Sequence, residues 1–283
     1  MIWTEAAEKA IGKVPFFVRK KVRGYVEEEA ARAGADRVVI EHVDACRRRF
    51  LSGKEMEKEV KGFQIETCFG PSGCENRAVE SGRLAAELEK LLAGRNFAGF
   101  LKERAGGPLK FHHEFRVSVS ECPNACSRPQ IVDIGIIGAR RPKVSDGPCT
   151  GCGACVQICR ENAVRLDHAA SRPPVLDGRE CVQCGKCIGA CPAGTISEGA
   201  RGYRILVGGK LGRHPQLGRE LEGTYSMEEV LKTVKRFLDI YFEHNQCGER
   251  LGAVLNRTGI HAPGNGRSLS PGRGAAAKRA CSE

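Results

Sequence analysis

An α+β fold is predicted for this chain on three observations. Phe115, Val117 and Val119 alternate with Arg116, Ser118 and Ser120, the period of a strand with one apolar face, and a second apolar run follows from Ile131 to Ile137. Val230, Val234, Phe237, Leu238 and Tyr241 recur at helical spacing behind Ser226-Met227-Glu228-Glu229, a capping box. Two evenly spaced cysteine runs, starting at Cys149 and Cys181, interrupt this pattern and mark an inserted unit.

A chain of 283 residues with 41% hydrophobic residues can bury a core, and the length favours two domains. The amino terminus has neither a basic n-region nor an apolar h-region, and no stretch approaches the ~18 apolar residues of a membrane span. A cytoplasmic protein without a membrane span is expected. In a reducing cytosol its 15 cysteines are better read as metal or cluster ligands than as disulfides. The net charge of +11 has generic explanations in nucleic acid, acidic partners or an internal anion. Part of it lies in a Gly/Ala-rich tail from Arg257, which reads as disordered. Arg140-Arg141 and the cations of residues 210–213 lie near cysteines or glycines, where an internal anion explains them better than nucleic acid.

The first element follows Pro15, where Val18, Val22, Tyr25 and Val26 form one helical face, and a second helix is expected over residues 42–50. Next comes a cysteine set split in two, Cys68-x5-Cys74 and Cys122-x3-Cys126. The strand at Phe115 runs directly into the second pair, so its polar face, with Arg116, points at something polar. Cys149-x2-Cys152-x2-Cys155-x3-Cys159 and Cys181-x2-Cys184-x2-Cys187-x3-Cys191-Pro192 repeat the two-cluster ferredoxin run. In that arrangement the fourth cysteine crosses over. Cys149, Cys152, Cys155 and Cys191 then hold one [4Fe-4S] cluster, and Cys181, Cys184, Cys187 and Cys159 the other. Paired zinc knuckles would space their ligands differently.

A strand is expected at residues 203–207, followed by Gly208-Gly209-Lys210-Leu211-Gly212-Arg213-His214-Pro215. Glycines allow close backbone approach, and Lys210, Arg213 and His214 add cations or donors. No Gly-Lys-Ser/Thr is present, so this is not a Walker loop. The capped helix of the opening observation closes the fold and reads as structural.

Thr67-Cys68-x5-Cys74, the residues from Arg116 to Cys126, Asp133-Ile134-Gly135-Ile136-Ile137-Gly138 and the loop at Gly208 together resemble the sirohaem-binding repeat of sulfite and nitrite reductases. The inserted ferredoxin is similar to that of dissimilatory and small anaerobic sulfite reductases. Residues 3–50 resemble the small helical module of dark-operative protochlorophyllide reductase, which lies near a tetrapyrrole. The alternative for that segment is a helical hairpin that only packs.

The resemblance implies a third [4Fe-4S] cluster on Cys68, Cys74, Cys122 and Cys126, with Cys126 bridging to the iron of a sirohaem. Sirohaem carboxylates would give the basic excess an internal partner, held by Lys210, Arg213, His214, Gly208, Gly209 and Asn124. Sulfite would bind the open iron face and be reduced to sulfide by six electrons, with Arg116 as the main anion-binding residue and Lys110, His112 and His113 beside it. Cys46, Cys247 and Cys281 match no ligand set and read as ordinary thiols. The expected domains are a helical module (1–60), a discontinuous reductase domain (61–143 and 200–260), a ferredoxin insert (144–199) and a disordered tail (261–283). Well-known relatives build their site from two repeats and this chain has room for one, so a homo-oligomer or second subunit is expected, with a ferredoxin or reductase subunit as electron donor. Two alternatives stay open: a nitrite reductase with the same cofactors, and a non-catalytic iron-sulfur electron carrier.

Overall fold

The computed structural model describes residues 1–14, 16–51, 60–105, 107–166 and 173–260. The expected tail at 261–283, together with Pro15 and Cys281, lies outside them. The chain divides into two compact units, residues 1–61 with 107–112, and residues 62–106 with 113–283.

In the first unit, strand β1 (Ile2–Trp3) is followed by helices α1 (Glu5–Gly12) and α2 (Phe16–Arg32), strand β2 (Arg37–Val38) and helix α3 (Ile40–Leu51). β1 and β2 pair in parallel. The core is Ala7, Val26, Ala30, Val38 and Cys46, with Trp3, Val22, Tyr25 and Val43 packed against it. The expected stripe is therefore right from Val22 onward, but Val18 is 36% exposed. The face that turns inward continues to Ala30 because the small residues at its end let α2 lie close to α1 and β2. The Trp3 indole donates to Glu27 at 2.8 Å, and the Arg23 guanidinium lies 4.2 Å from the Trp3 ring while bonding both carboxylate oxygens of Glu8.

The second unit begins with β3 (Phe63–Thr67), helices α4 (Gly82–Ala93) and α5 (Phe97–Ala105), then β4 (Phe115–Ser120) and β5 (Ile134–Val144). A short helix α6 (Ala154–Ile158), strands β6 (Val164–Arg165) and β7 (Val175–Leu176) and helix α7 (Lys186–Ala190) follow. The chain closes with β8 (Ile196–Val207), β9 (Arg219–Glu220), α8 (Met227–His244) and α9 (Leu251–Thr258). The main sheet has the order β3-β4-β5-β8-β9, parallel across β3, β4 and β5 and antiparallel beyond.

Alternation on β4 has the predicted result. Phe115, Val117 and Val119 are fully buried against Leu84, Leu88 and Leu92 of α4 and the stripe of α8. Ser226 caps α8 with both capping-box bonds formed, and all five predicted stripe residues are buried. Two strands depart from expectation. Ile131 lies in a 3₁₀ turn, so β5 starts at Ile134 and continues to Val144; the strand expected at residues 203–207 starts at Ile196. The reason is pairing: β5 and β8 form one long antiparallel hairpin running from Ile134↔Val207 to Val144↔Ile196. Its outer half holds charged residues and glycines that have no alternation of their own. The cysteine-rich segment is the connection at the tip of this hairpin, where the ends are already side by side.

Candidate functional site

Thirteen residues connect β4 to the parallel strand β5, and this crossover contains a 3₁₀ turn but no α-helix. The connection lies instead across the sheet face opposite α4 and α8, where Ala125 packs on Ile137 and Leu206. The polar face of β4 receives it. Ser118 Oγ donates to the Ser127 carbonyl at 2.6 Å, Ser120 and Ser127 hydroxyls are 2.7 Å apart, and Ser127 Oγ donates to the Val119 carbonyl at 2.9 Å. All three serines are buried. Gly135 is required underneath, since a Cβ there would collide with the Pro129 carbonyl. The Asp133 carboxylate, fully buried, accepts from Arg116 N at 2.8 Å, Leu251 N at 3.0 Å and Arg250 Nε at 2.9 Å. It fixes the end of this connection to the start of α9.

This packing brings the split cysteines together. Cys68 follows β3 and bonds through its N–H to the Val119 carbonyl; its sulfur accepts N–H bonds from Gly70 and Glu121, each at 3.3 Å. Burial pushes the Cys122 thiol up, the Asn124 N–H opposes that, and the sulfurs of Cys126, Cys68 and Cys74 push it further up. The four are thus electrostatic neighbours. Cys122 is buried, Cys68 and Cys74 are half-buried and Cys126 is exposed, with Asn124 Nδ2 donating to its sulfur at 2.9 Å.

Glu121 was not singled out from the sequence. It is buried beside Cys122, and its Oε1 accepts from Ser81 N at 2.7 Å and Ser81 Oγ at 2.9 Å. Its carbonyl takes the N–H groups of Ala78 and Val79, so this one residue ties the second cysteine pair to the segment after the first. Only its place next to Cys122 hints at this in the sequence.

The two contiguous runs assemble with the fourth cysteine exchanged. Burial and the sulfurs of Cys181, Cys184 and then Cys159 push Cys187 up to about 11. Burial also raises Cys155, with Cys191 and Cys149 adding to it against two backbone N–H groups. Cys191 is lowered, because N–H groups of Ile196, Ala193 and Thr195 outweigh its burial. Cys149, Cys152, Cys155 and Cys191 line one cavity. Cys159, Cys181, Cys184 and Cys187 line another of about 290 Å³, whose wall is completed by Cys122, Pro123, Asn124 and Asn76 of the split set's loops. Lys186 Nζ donates to Asn76 Oδ1 at 2.7 Å across this second cavity's rim. Among the described residues, no three His, Cys, Asp or Glu side chains converge on a single metal ion. Each quartet surrounds a space rather than a point.

Arg116 is half-buried on the same face of β4 as Ser118 and Ser120, and β4 is an inner strand of the sheet. His113 ends a 3₁₀ turn just before β4, whereas Lys110 and His112 belong to the first unit. Gly208 takes φ 78°, and Gly209 presses so closely on the Gln130 and Val132 carbonyls that a Cβ would collide. The close approach at these glycines is thus to the chain itself. Lys210 and Gln216 exchange backbone hydrogen bonds of 3.0 Å, which closes a loop with Arg213 and His214 exposed at its tip. Arg128, a cation not foreseen, is in the left-handed region at φ 57° two residues after Cys126 and 70% exposed. Cys46 is a buried thiol.

Residues 62–262 match the family model described as the nitrite and sulphite reductase 4Fe-4S domain, and residues 3–47 match that of the proto-chlorophyllide reductase 57 kD subunit. The chain is 38% identical over 194 residues to the coenzyme F420-dependent sulfite reductase of Methanocaldococcus jannaschii, covering 68% of this chain and 28% of that protein. It is 28% identical over 140 residues to one of the subunits of the anaerobic sulfite reductase of Salmonella typhimurium, covering 44% of this chain and 36% of that one. A crystal structure of dissimilatory sulfite reductase I aligns at 22% identity and a TM-score of 0.43, covering 68% of this chain and 49% of the other. The alignments thus span 28% and 36% of the two curated relatives.

Proposed function

The chain belongs to the nitrite and sulphite reductase 4Fe-4S domain family, and from that premise we propose that it is the catalytic part of a sirohaem-dependent sulfite reductase that takes its electrons through its own ferredoxin insert. The observation that carries this reading is the split quartet. Its four sulfurs are neighbours, three are sheltered, and the one expected to bridge to a haem iron, Cys126, is exposed.

The residues present fit these groups. N–H donors on Cys68 and an amide donor on Cys126 stabilise thiolates, the form that ligates iron. The solvent-facing Cys126 leaves room for a macrocycle against the loop surface, and Lys210, Arg213, His214 and Arg128 offer donors for its carboxylates. Gly208 and Gly209 shape the loop that presents them, and Asn124 holds the Cys126 sulfur. Bound there, sirohaem would supply an iron that takes sulfite through sulfur and receives electrons from the cluster.

The chain's own residues do the rest. Arg116 leaves the sheet on the face that carries the cysteine loop and would hold an oxyanion, with His113 as a further proton source. Cys181, Cys184, Cys187 and Cys159 share their cavity wall with Cys122, which supports an electron route from the insert to the split set. Both quartets of the insert, and the split set, would hold [4Fe-4S] clusters.

Sulfite is favoured over nitrite because the relatives named above are sulfite reductases. A second copy or another protein would complete the site, and a ferredoxin or reductase subunit would be the donor. Among the described residues no helix is long and apolar enough to cross a membrane.

The test is an absorption spectrum of anaerobically purified protein, with acid-acetone extraction of pigment and iron counted per chain. Extractable sirohaem with about thirteen irons, three cubanes and one haem, is the expected result. About eight or twelve irons and no tetrapyrrole, from a host that supplies sirohaem, would reduce the protein to an electron carrier.

A further inference from the structure

We infer that Lys186, held in place by Asn76, is a positioning residue for electron transfer between the insert's inner cluster and the split-set cluster. The inference rests on the reading that Cys181, Cys184, Cys187 and Cys159 hold one cluster and Cys68, Cys74, Cys122 and Cys126 another.

The local structure directs Lys186 toward this junction. Gly185 before it is left-handed at φ 73°, and a Cβ there would lie 2.6 Å from the Arg140 Cβ. Arg140 N donates to the Gln183 carbonyl at 2.8 Å, which fastens the loop to β5. The side chain then crosses to the loop after Cys74, where Nζ donates to Asn76 Oδ1 at 2.7 Å. These partners are 110 residues apart in sequence. Both line the cavity of about 290 Å³ that also touches Cys122, Cys184 and Cys187.

Two consequences follow from the charge. A fixed cation favours the more negative, reduced state of any cluster beside it, so it raises the potential of that cluster. Among the described residues of that wall, Arg160 and Glu161 carry opposite charges and Lys186 adds one further positive charge. Among the described residues, the wall of the cavity of Cys149, Cys152, Cys155 and Cys191 holds neither Lys186 nor another charged side chain, so the outer cluster serves as an internal reference. The Lys186–Asn76 bond is exposed and contributes little to stability, so its removal leaves the fold standing.

The experiment is a redox titration of the full, cluster-loaded chain followed by electron paramagnetic resonance, with iron counted in every sample. Lys186→Gln should keep its iron, lower the midpoint of the inner cluster and leave the outer cluster unchanged. Lys186→Arg should hold the wild-type midpoint. Asn76→Ala, which keeps the charge but frees it, should lower the inner midpoint by less than Lys186→Gln does. Unchanged midpoints in iron-replete Lys186→Gln, or an equal shift in all three clusters, would overturn the role of Lys186. An unsubstituted protein with fewer than three cluster signals would instead overturn the cluster reading, and the inference with it.

Discussion

Ser118 on the inner strand β4 donates its hydroxyl proton to the backbone carbonyl of Ser127, 2.6 Å away, and so holds the residue that follows Cys126 against the sheet. Ser120 takes part in the same cluster through the Ser127 hydroxyl. The hydroxyl face of the strand is therefore satisfied internally, by the loop that carries two of the split cysteines. A buried, fully bonded polar cluster specifies one loop position.

Ser127→Ala tests that link. It removes a hydroxyl bonded to Ser118, Ser120 and the Val119 carbonyl and leaves the buried Ser120 O–H without its acceptor. A loss of about 1–3 kcal/mol is expected in denaturant unfolding of the metal-free chain. Unchanged stability would mean that packing of Ala125 on Ile137 holds the loop without the serines.

Asp133→Ala should cost more. Arg250 is largely buried and loses its carboxylate partner, while the Leu251 and Arg116 N–H groups lose their acceptor. Removing one partner of a buried pair costs about 3–5 kcal/mol. The thermal midpoint checks this, and Asp133→Ala combined with Arg250→Met should recover part of the loss.

Much of this architecture is legible in the sequence where a local rule acts. The helix behind Ser226 shows its cap and stripe within a few turns, and β4 alternates strictly. The cysteine runs carry their own spacing, down to the exchange of Cys159 and Cys191. What escapes is set by distant partners. The outer halves of β5 and β8, with Arg140, Arg141, Gly199 and Gly202, become strand only by pairing with each other. Val18 continues a helical period yet stays at the surface, since nothing among the described residues of the first unit covers it. Glu121 and Asn76 acquire their contacts from residues 40 and 110 positions away.

Two cysteine variants separate catalysis from wiring. Cys126→Ser should abolish the coupling between split-set cluster and haem in paramagnetic spectra, since Cys126 is the exposed member of its set. Cys184→Ser should leave that coupling intact and lose turnover with a donor that enters through the insert. Wild-type coupling in the Cys126 variant would refute the bridging assignment.

Arg116→Ala isolates the substrate step. The Arg116 backbone N–H, not its side chain, bonds Asp133, so truncation leaves that anchor of β5 in place. The guanidinium lies on the face that carries the cysteine loop, where a charge-assisted bond to an oxyanion is worth about 1.5–3 kcal/mol. Sulfite affinity should therefore fall by about ten- to a hundredfold, with iron and pigment content retained. Arg116→Lys keeps the charge but not the planar fork and should recover only part of the affinity. Equal affinities for wild type and Arg116→Ala in an equilibrium titration would remove Arg116 from the site and leave anion binding to His113 or to the cations of the loop at Lys210.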